Sequence, residues 1–385
     1  MRLAFRLSRY NRYSFIPLFG FARRFGETLL CNSAHDILEC SPHLVFYSFM
    51  SPHAPDVYSE VFRLRGMLKG TLFVAGGPHP TALPNEVIEE GFDSVVVGEG
   101  EGVFVKLLED ATKGRLKPVY RGSAGDFPLY SLADSPYTGP VELVRGCPFG
   151  CRYCQVSYMF GRRPRCRPLE QVLSEAEVLL ERGRRFVRFI APNALSYMSE
   201  DGVSPNVEVL RSLFSGLKAL GVEQIFFGSF PSEVRPDSVT PEAVELMAQF
   251  CSNRRVVVGA QSGSPRMLEL MGRGHGVEDV KRAVEILNSF GFEVSLDFIF
   301  GLPGETERDM ELTLALIEEL YGRFRVRVHA HSFLPLPGTP WAKASPAPIP
   351  KWVKRRLHMW ERQGLLDGNW VQQERMGRVL CRMSA

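Results

Sequence analysis

The sequence predicts an α/β protein: two successive parallel-sheet units followed by a short, mainly helical tail. Three observations predict it. Apolar runs of strand length alternate with helical stretches, first from Arg2 to Val97 and again from Val141 to Phe333. That alternation implies parallel sheets with both faces covered. Between the two stretches, from about Lys113 to Pro140, Gly, Pro, Ser and Asp accumulate without periodicity, as in a linker. The strands then run into glycine-bearing or polar loops, and parallel sheets and barrels hold ligands at those carboxyl ends. The expected boundaries are residues 1–125, a linker over 126–140, a second unit over 141–341 and a tail over 342–385.

In the first unit, Arg2–Leu7 reads as a strand, and Leu44–Met50 as a second. A helical stretch follows around Pro55–Met67. Thr71–Ala75 is a third strand, ending in Gly76-Gly77, and Ser94–Val97 a fourth, ending in Gly98-Glu99. Ser48 closes the second strand. Glycines at strand ends let a ligand approach the backbone closely.

The second unit opens with the strand Val141–Arg145. Leu169–Glu181 is a helix, with Leu169, Val172, Leu173, Ala176, Leu179 and Leu180 on one face. Strands follow at Phe186–Ile190, Gln224–Ser229, Arg255–Ala260, Val294–Phe300 and Arg325–Phe333. Helices lie between them at Val207–Leu220, Pro241–Phe250, Val277–Phe290 and Met310–Leu320, two of them stopped by Gly221 and Gly291. The tail is Pro-broken, then basic and aromatic, with Trp352, Trp360 and Trp370; one or two helices are expected there.

The stretch CPFGCRYC puts thiols at Cys147, Cys151 and Cys154. Zinc usually takes four ligands, often as two short-spaced pairs, and no His lies near. A redox pair would leave Cys147 unexplained. Three thiolates on a cubane iron–sulfur cluster leave one iron free to bind a substrate. The stretch, with Tyr153 before the last Cys, resembles the radical S-adenosylmethionine (radical-SAM) signature. In that family the open iron chelates the amine and carboxylate of S-adenosylmethionine, and an electron then cleaves it to methionine and a 5′-deoxyadenosyl radical. The six strand–helix units match that family's open, partial (β/α)6 barrel.

The first unit resembles the Rossmann-like cobalamin-binding domains fused to such barrels. Their Ser-x-Leu segment and Gly-Gly pair match Ser48-Phe49-Met50 and Gly76-Gly77, with Met in place of Leu. GGPHPTALPNEV followed by VVVGEGE, which carries Gly98 and Glu99, is similar to the fused version. The D-x-H-x-x-G loop is absent, which implies a cobalt with no protein ligand on its lower face. The alternative is that the unit is a structural relic or holds another ligand. His79 reads as a loop residue packing near the corrin.

Further strand-end residues follow from the resemblance. Asn193 stands where many relatives carry a Gly-Gly-Glu segment that meets the methionine amine. Ser232, Glu233 and Arg235 lie in PSEVRP, and Arg suits the S-adenosylmethionine carboxylate because its planar fork binds bidentately. Gln261, Ser262 and Gly263, followed by a Met-x-Arg-Gly tract, suit its ribose or methionine. DFIFGLPGET resembles the adenine-contacting segment. Asp297 lies inside that strand, and His329 and His331 share one side of the last strand.

Composition adds limits. At 385 residues, 45% hydrophobic and 23% charged, the chain is ordinary for a globular protein, and a net charge of +3 does not argue for nucleic acid. The run Arg162, Arg163, Arg165, Arg167 reads as a solvated loop rather than an RNA groove. The five remaining cysteines, including Cys31, Cys40 and Cys166, form no disulfide framework. No apolar run spans a bilayer, so a cytoplasmic protein is expected. The resemblance implies a [4Fe–4S] cluster, S-adenosylmethionine and cobalamin as cofactors. It also implies an external electron donor such as ferredoxin or flavodoxin, and methyl transfer to an unactivated centre of an unidentified substrate. The rival readings are a methylthiotransferase-like RNA-modifying enzyme, a cobalamin enzyme that does not methylate, and a sensor.

Overall fold

The structure, a computed structural model, describes residues 1–122, 125 and 130–383. Part of the expected linker, 126–129, therefore lies outside the described residues. The chain divides into two compact units: Met1–Gly139 with Tyr158–Phe160, and Pro140–Ser157 with Gly161–Ala385.

The first unit is one parallel sheet of six strands in the order β2-β1-β3-β4-β5-β6. These are β1 (Arg2–Arg6), β2 (Glu27–Cys31), β3 (Leu44–Ser48), β4 (Leu72–Gly76), β5 (Ser94–Val97) and β6 (Val119–Arg121). Helices α1 (Phe19–Ala22), α2 (Ala34–Cys40), α3 (Ala54–Met67), α4 (Pro78–Ala82), α5 (Pro84–Glu89) and α6 (Glu101–Thr112) accompany them. Every residue of β3 is buried, as a central strand covered on both faces requires. Successive side chains alternate between two cores. Tyr47, Phe49 and Phe73 pack with Val61 of α3, while Phe5, Phe46 and Phe104 pack with Phe15 and Phe19.

The second unit builds a curved, parallel wall. One sheet runs β11-β10-β7, with β7 (Val141–Glu142), β10 (Phe186–Ile190) and β11 (Gln224–Phe226). Another runs β12-β13-β14-β15, with β12 (Arg255–Gln261), β13 (Glu293–Phe300), β14 (Val326–Ser332) and β15 (Leu366–Asp367). Parallel bridges Ala191–Ser232 and Val234–Val258 carry the segment after β11 from one sheet to the other. The result is an open, partial (β/α)6 barrel. Its outer helices are α8 (Leu169–Glu181), α9 (Val207–Ala219), α10 (Pro241–Phe250), α11 (Pro265–Met271), α12 (Val277–Ser289) and α13 (Glu307–Arg323). Two strands of two residues, β8 (Val144–Arg145) and β9 (Arg165–Cys166), pair antiparallel and bracket the cysteine loop and α7 (Val156–Phe160). The tail supplies α14 (Lys351–Arg362) and α15 (Trp370–Met383).

Three expectations are corrected. Beyond the elements read from its sequence, the first unit has strands β2 and β6 and helices α1, α2, α4, α5 and α6. The tail is mainly helical, as expected, and adds the two-residue β15 to the barrel sheet beside β14. Arg167 is not solvated: it is 1% exposed, its Nε donates to Glu142 O, and it faces Glu175 at 3.6 Å. His79 is held in the core at α4 by Ser51 and Tyr58, at 3.0 and 2.8 Å, rather than free in a loop. Burial also lowers its pKa.

Candidate active site

The loop after β8 gathers three thiols. Cys154 N donates to Cys151 O at 3.0 Å, closing a tight turn between two of them. Burial, first of all, pushes Cys154 up to about 12 and raises Cys147, and the neighbouring sulfurs raise both further. Left alone, these thiols stay protonated at neutral pH; as ligands they need a cation to draw the protons off. No three ligating side chains among the described residues converge on a single metal ion. Three thiols on one short loop, each able to take a different iron, suit a multi-iron centre with one iron per sulfur. The donor set therefore fits a [4Fe–4S] cluster.

Two arginines from other loops fix this one. Arg235 is 3% exposed, and its guanidinium lies 3.3 Å from the centroid of the Phe149 ring, between Cys147 and Cys151. It forks onto Asp237 at 3.0 and 2.8 Å and donates to Arg273 O at 2.7 Å, while its Nη1 is buried without a partner. Arg273 donates to Gly259 O at 2.7 Å and to Tyr153 Oη at 3.3 Å, and stands 3.7 Å from Cys151 Sγ. Its Nε donates to His275 Nε2 at 3.1 Å. Burial and the two guanidinium charges push His275 down to about 3, so it accepts as a neutral ring. The sequence signal for Arg273 was the Met-x-Arg-Gly tract; Phe149 carried none.

The other expected residues divide into two sets. Glu233, Gln261 and Arg273 turn their heads toward Gly259, where a Cβ would lie 3.5, 2.8 and 3.1 Å from them. Asn193 instead braces the neighbouring loop: its Oδ1 accepts from Arg235 N at 3.2 Å and its Nδ2 donates to Ser238 Oγ at 2.7 Å. Ser262 Oγ lies 3.3 Å from Thr313 Oγ1 of α13. A Cβ on Gly263 would lie 2.6 Å from Thr313 Cα, so Gly263 permits close strand–helix packing. Ser232 is fully buried and its hydroxyl has no partner. In the GLPGE turn, Glu305 Oε2 accepts from Gly301 N and Leu302 N at 2.6 and 3.1 Å.

In the first unit, Ser48 and Gly76 pair across β3 and β4 at the carboxyl edge. Gly77 follows with φ +95°, and a Cβ there would sit 2.8 Å from Ser48 Oγ. A Cβ on Gly76 meets nothing nearer than Val96 Cβ at 3.9 Å. Gly98 N donates to Thr81 Oγ1 at 3.1 Å, and Glu99 beside it is buried. A cavity of about 320 Å³ opens beside Ser48, lined also by Arg6, Tyr10, Asn11, His53 and Glu60. It lies where the strand order reverses between β1 and β3, the place where open α/β sheets take ligands. An open edge of small residues beside a cavity fits a large planar group such as cobalamin.

A barrel with a three-thiol loop, preceded by a Rossmann-like unit with a glycine edge, defines a class of iron–sulfur enzyme. Residues 141–317 match the radical SAM superfamily and residues 33–108 match the B12 binding domain. An uncharacterized methyltransferase of Pyrococcus horikoshii is 27% identical over 337 residues, covering 79% of this chain and 69% of that protein. A tRNA-2-methylthio-N(6)-dimethylallyladenosine synthase of an Acidovorax species is 30% identical over 336 residues, covering 84% and 72%. The solved radical S-adenosylmethionine methyltransferase TsrM of Kitasatospora setae shares the fold, with TM-score 0.69 and 17% identity over 89% of this chain and 76% of that one. The chain spans 60–63% of the length of other relatives it matches. The chain belongs to the radical SAM superfamily and carries a B12-binding domain. Its cofactors are a [4Fe–4S] cluster, S-adenosylmethionine and cobalamin. Among the described residues no helix is long and apolar enough to cross a membrane.

Proposed function

We propose that the chain is a cobalamin-dependent radical SAM enzyme that methylates an unactivated centre of its substrate. The observation that carries this reading is the presence in one chain of both sites, the three-thiol loop in the barrel and the Ser48–Gly76-Gly77 edge. When bound, the cluster supplies the electron that cleaves S-adenosylmethionine, and cobalamin supplies the methyl group. The electron itself comes from an external donor of the ferredoxin or flavodoxin class.

The residues then take these roles. Cys147, Cys151 and Cys154 ligate the cluster, and the nearby Arg273 guanidinium offsets the thiolate charge. Arg235 offers its free Nη1 to the S-adenosylmethionine carboxylate. Tyr153, Glu233 and Gln261 line the same chamber. Asn193, Ser232, Ser262 and Gly263 serve that site by holding its loops. Ser48, Gly76, Gly77, Gly98 and Glu99 hold cobalamin. A barrel interior that excludes water keeps a reactive species from being quenched.

The synthase relative would favour RNA methylthiolation, but the first unit has only Cys31 and Cys40, too few thiols for a second three-cysteine cluster. The test is anaerobic incubation of the reconstituted protein with isotopically labelled S-adenosylmethionine and cell extract, followed by mass spectrometry. A substrate gaining one labelled methyl group supports the reading. S-adenosylmethionine cleavage with no methyl transfer to any molecule would overturn the methylation while leaving the radical chemistry.

A further inference from the structure

The barrel chamber contains charge that its own side chains do not satisfy. Asp297, His329 and Asp367 stand in register on β13, β14 and β15, one row across three strands. Paired residues of parallel strands share a face. On β12 the register shifts between Val258 and Gln261, so that Gly259 and Ala260 together stand opposite Asp297. Glu233 Oε2 comes within 3.5 Å of where a Cβ on Gly259 would be. Gly259 thus stands beside Asp297, and Glu233 and Asp297 are close enough to act on each other's charge.

His329 Nδ1 is hydrogen-bonded to Asp367 Oδ1. Asp297 is 7% exposed, and neither it nor Glu233 has a side-chain hydrogen-bonding partner among the described residues. Arg273, the nearest full positive charge, spends its donors on Gly259 O, His275, Tyr153 and Cys151. Burial above all, then the charges of Glu233 and Asp367, raises Asp297 to about 8, and burial raises Glu233 as well. Buried polar groups are almost always hydrogen-bonded, and an exception calls for a missing partner. Unoccupied, Asp297 therefore keeps its proton at neutral pH, and a positively charged ligand with N–H donors lets it ionise and accept. An anionic group would meet three carboxylates, Glu233, Asp297 and Asp367. A cation relieves the repulsion and supplies the donors together.

We propose that this face of the barrel, Asp297 and Glu233 with His329 behind them, binds a protonated amine. This deepens the reading given above and rests on the barrel being the reaction chamber. The amine belongs to the methylated substrate, which is then an amine-bearing molecule.

The test uses full-length, cluster-reconstituted protein labelled with [13C]histidine, the His329 signal being assigned by its loss in His329→Gln. n-Butylammonium is the probe and n-butanol the uncharged control. Butylammonium should move the His329 signal saturably, butanol should not, and Asp297→Asn and Glu233→Gln should each weaken the effect about tenfold, as expected for a charged hydrogen bond. Circular dichroism checks that each variant folds, and either one suffices. The same titration is repeated with S-adenosylmethionine saturating: an unchanged effect supports a substrate amine, and competition would overturn the proposal by giving these carboxylates to S-adenosylmethionine. No saturable shift, an equal shift with butanol, or an effect untouched in a folded variant would overturn the proposal. Failure of the wild type to bind S-adenosylmethionine would sink the function proposed above, and the butylammonium result would stand apart from it.

Discussion

At the residue scale, Arg235 and Glu305 show how burial decides what a charge is for. An arginine after a strand is often a surface ion pair, but here the guanidinium is stacked on Phe149 and tied to Asp237, with the Nη1 amino group left over. Arg235→Ala should weaken S-adenosylmethionine binding by about 1.5–3 kcal/mol, the range for a hydrogen bond to a charged group. Arg235→Lys should recover only part of it, because a point charge cannot both fork onto Asp237 and reach the ligand. Equilibrium titration of the reconstituted protein reads both, with the iron absorbance checking that the cysteine loop survives the lost stacking. Glu305 gives a pH signature. Burial, opposed by two backbone N–H bonds, raises it from 4.5 to about 8. A carboxyl whose folded pKa is raised binds its proton more tightly folded than unfolded, so its contribution falls as pH climbs from about 4.5 to about 8. Glu305→Gln should flatten the decline of stability across that window, measured by denaturant unfolding at several pH values. A slope identical to the wild type would show that Glu305 is ionised throughout.

At the element scale, the legible parts of the fold were those with a strong period and full burial. The central strands β3 and β4 and all the long barrel helices could be read, because a buried stripe leaves its spacing in the sequence. The parallel strands that could not be read are edges. β2 is half-exposed along most of its length, β6 has three residues and β15 two, so none carries alternation long enough to detect. The cysteine loop was legible from spacing alone, whereas for Arg273 only its tract was, since its role arises from contacts with Cys151 and Gly259 more than a hundred and just over a dozen residues away. The Gly-Gly pair was legible as a pair, but only the structure separates its members. Gly77 has φ +95° and a side chain there would strike Ser48, so Gly77→Val should lower the melting temperature. Gly76 opens onto free space, so Gly76→Val should leave the melting temperature unchanged while cobalamin binding falls. Cobalamin binding at wild-type strength in a folded Gly76→Val protein would move the site away from this edge.

At the scale of the whole molecule, each unit has its own sheet, its own hydrophobic core and its own candidate site. The three thiols lie in the second unit and the glycine edge in the first, so no side chain proposed to hold one cofactor also holds the other. The two loads should then be separable by mutation in the intact chain. Changing Cys147, Cys151 and Cys154 together to Ala should reduce bound iron from about four per chain, the content of one cubane, to background. Cobalamin should still load at the wild-type ratio. Gly76→Val should do the reverse, keeping iron and sulfide and losing cobalamin. Cys166→Ala is the control: its sulfur accepts from Met198 N at 3.2 Å on β9 and takes no part in the three-thiol set, so both loads should stay. Iron, sulfide and cobalt are counted on the same anaerobically reconstituted samples. Loss of cobalamin in the triple cysteine variant, with its circular dichroism unchanged, would show that the first unit cannot hold its cofactor without an assembled cluster, and the independence argued from separate cores would be wrong.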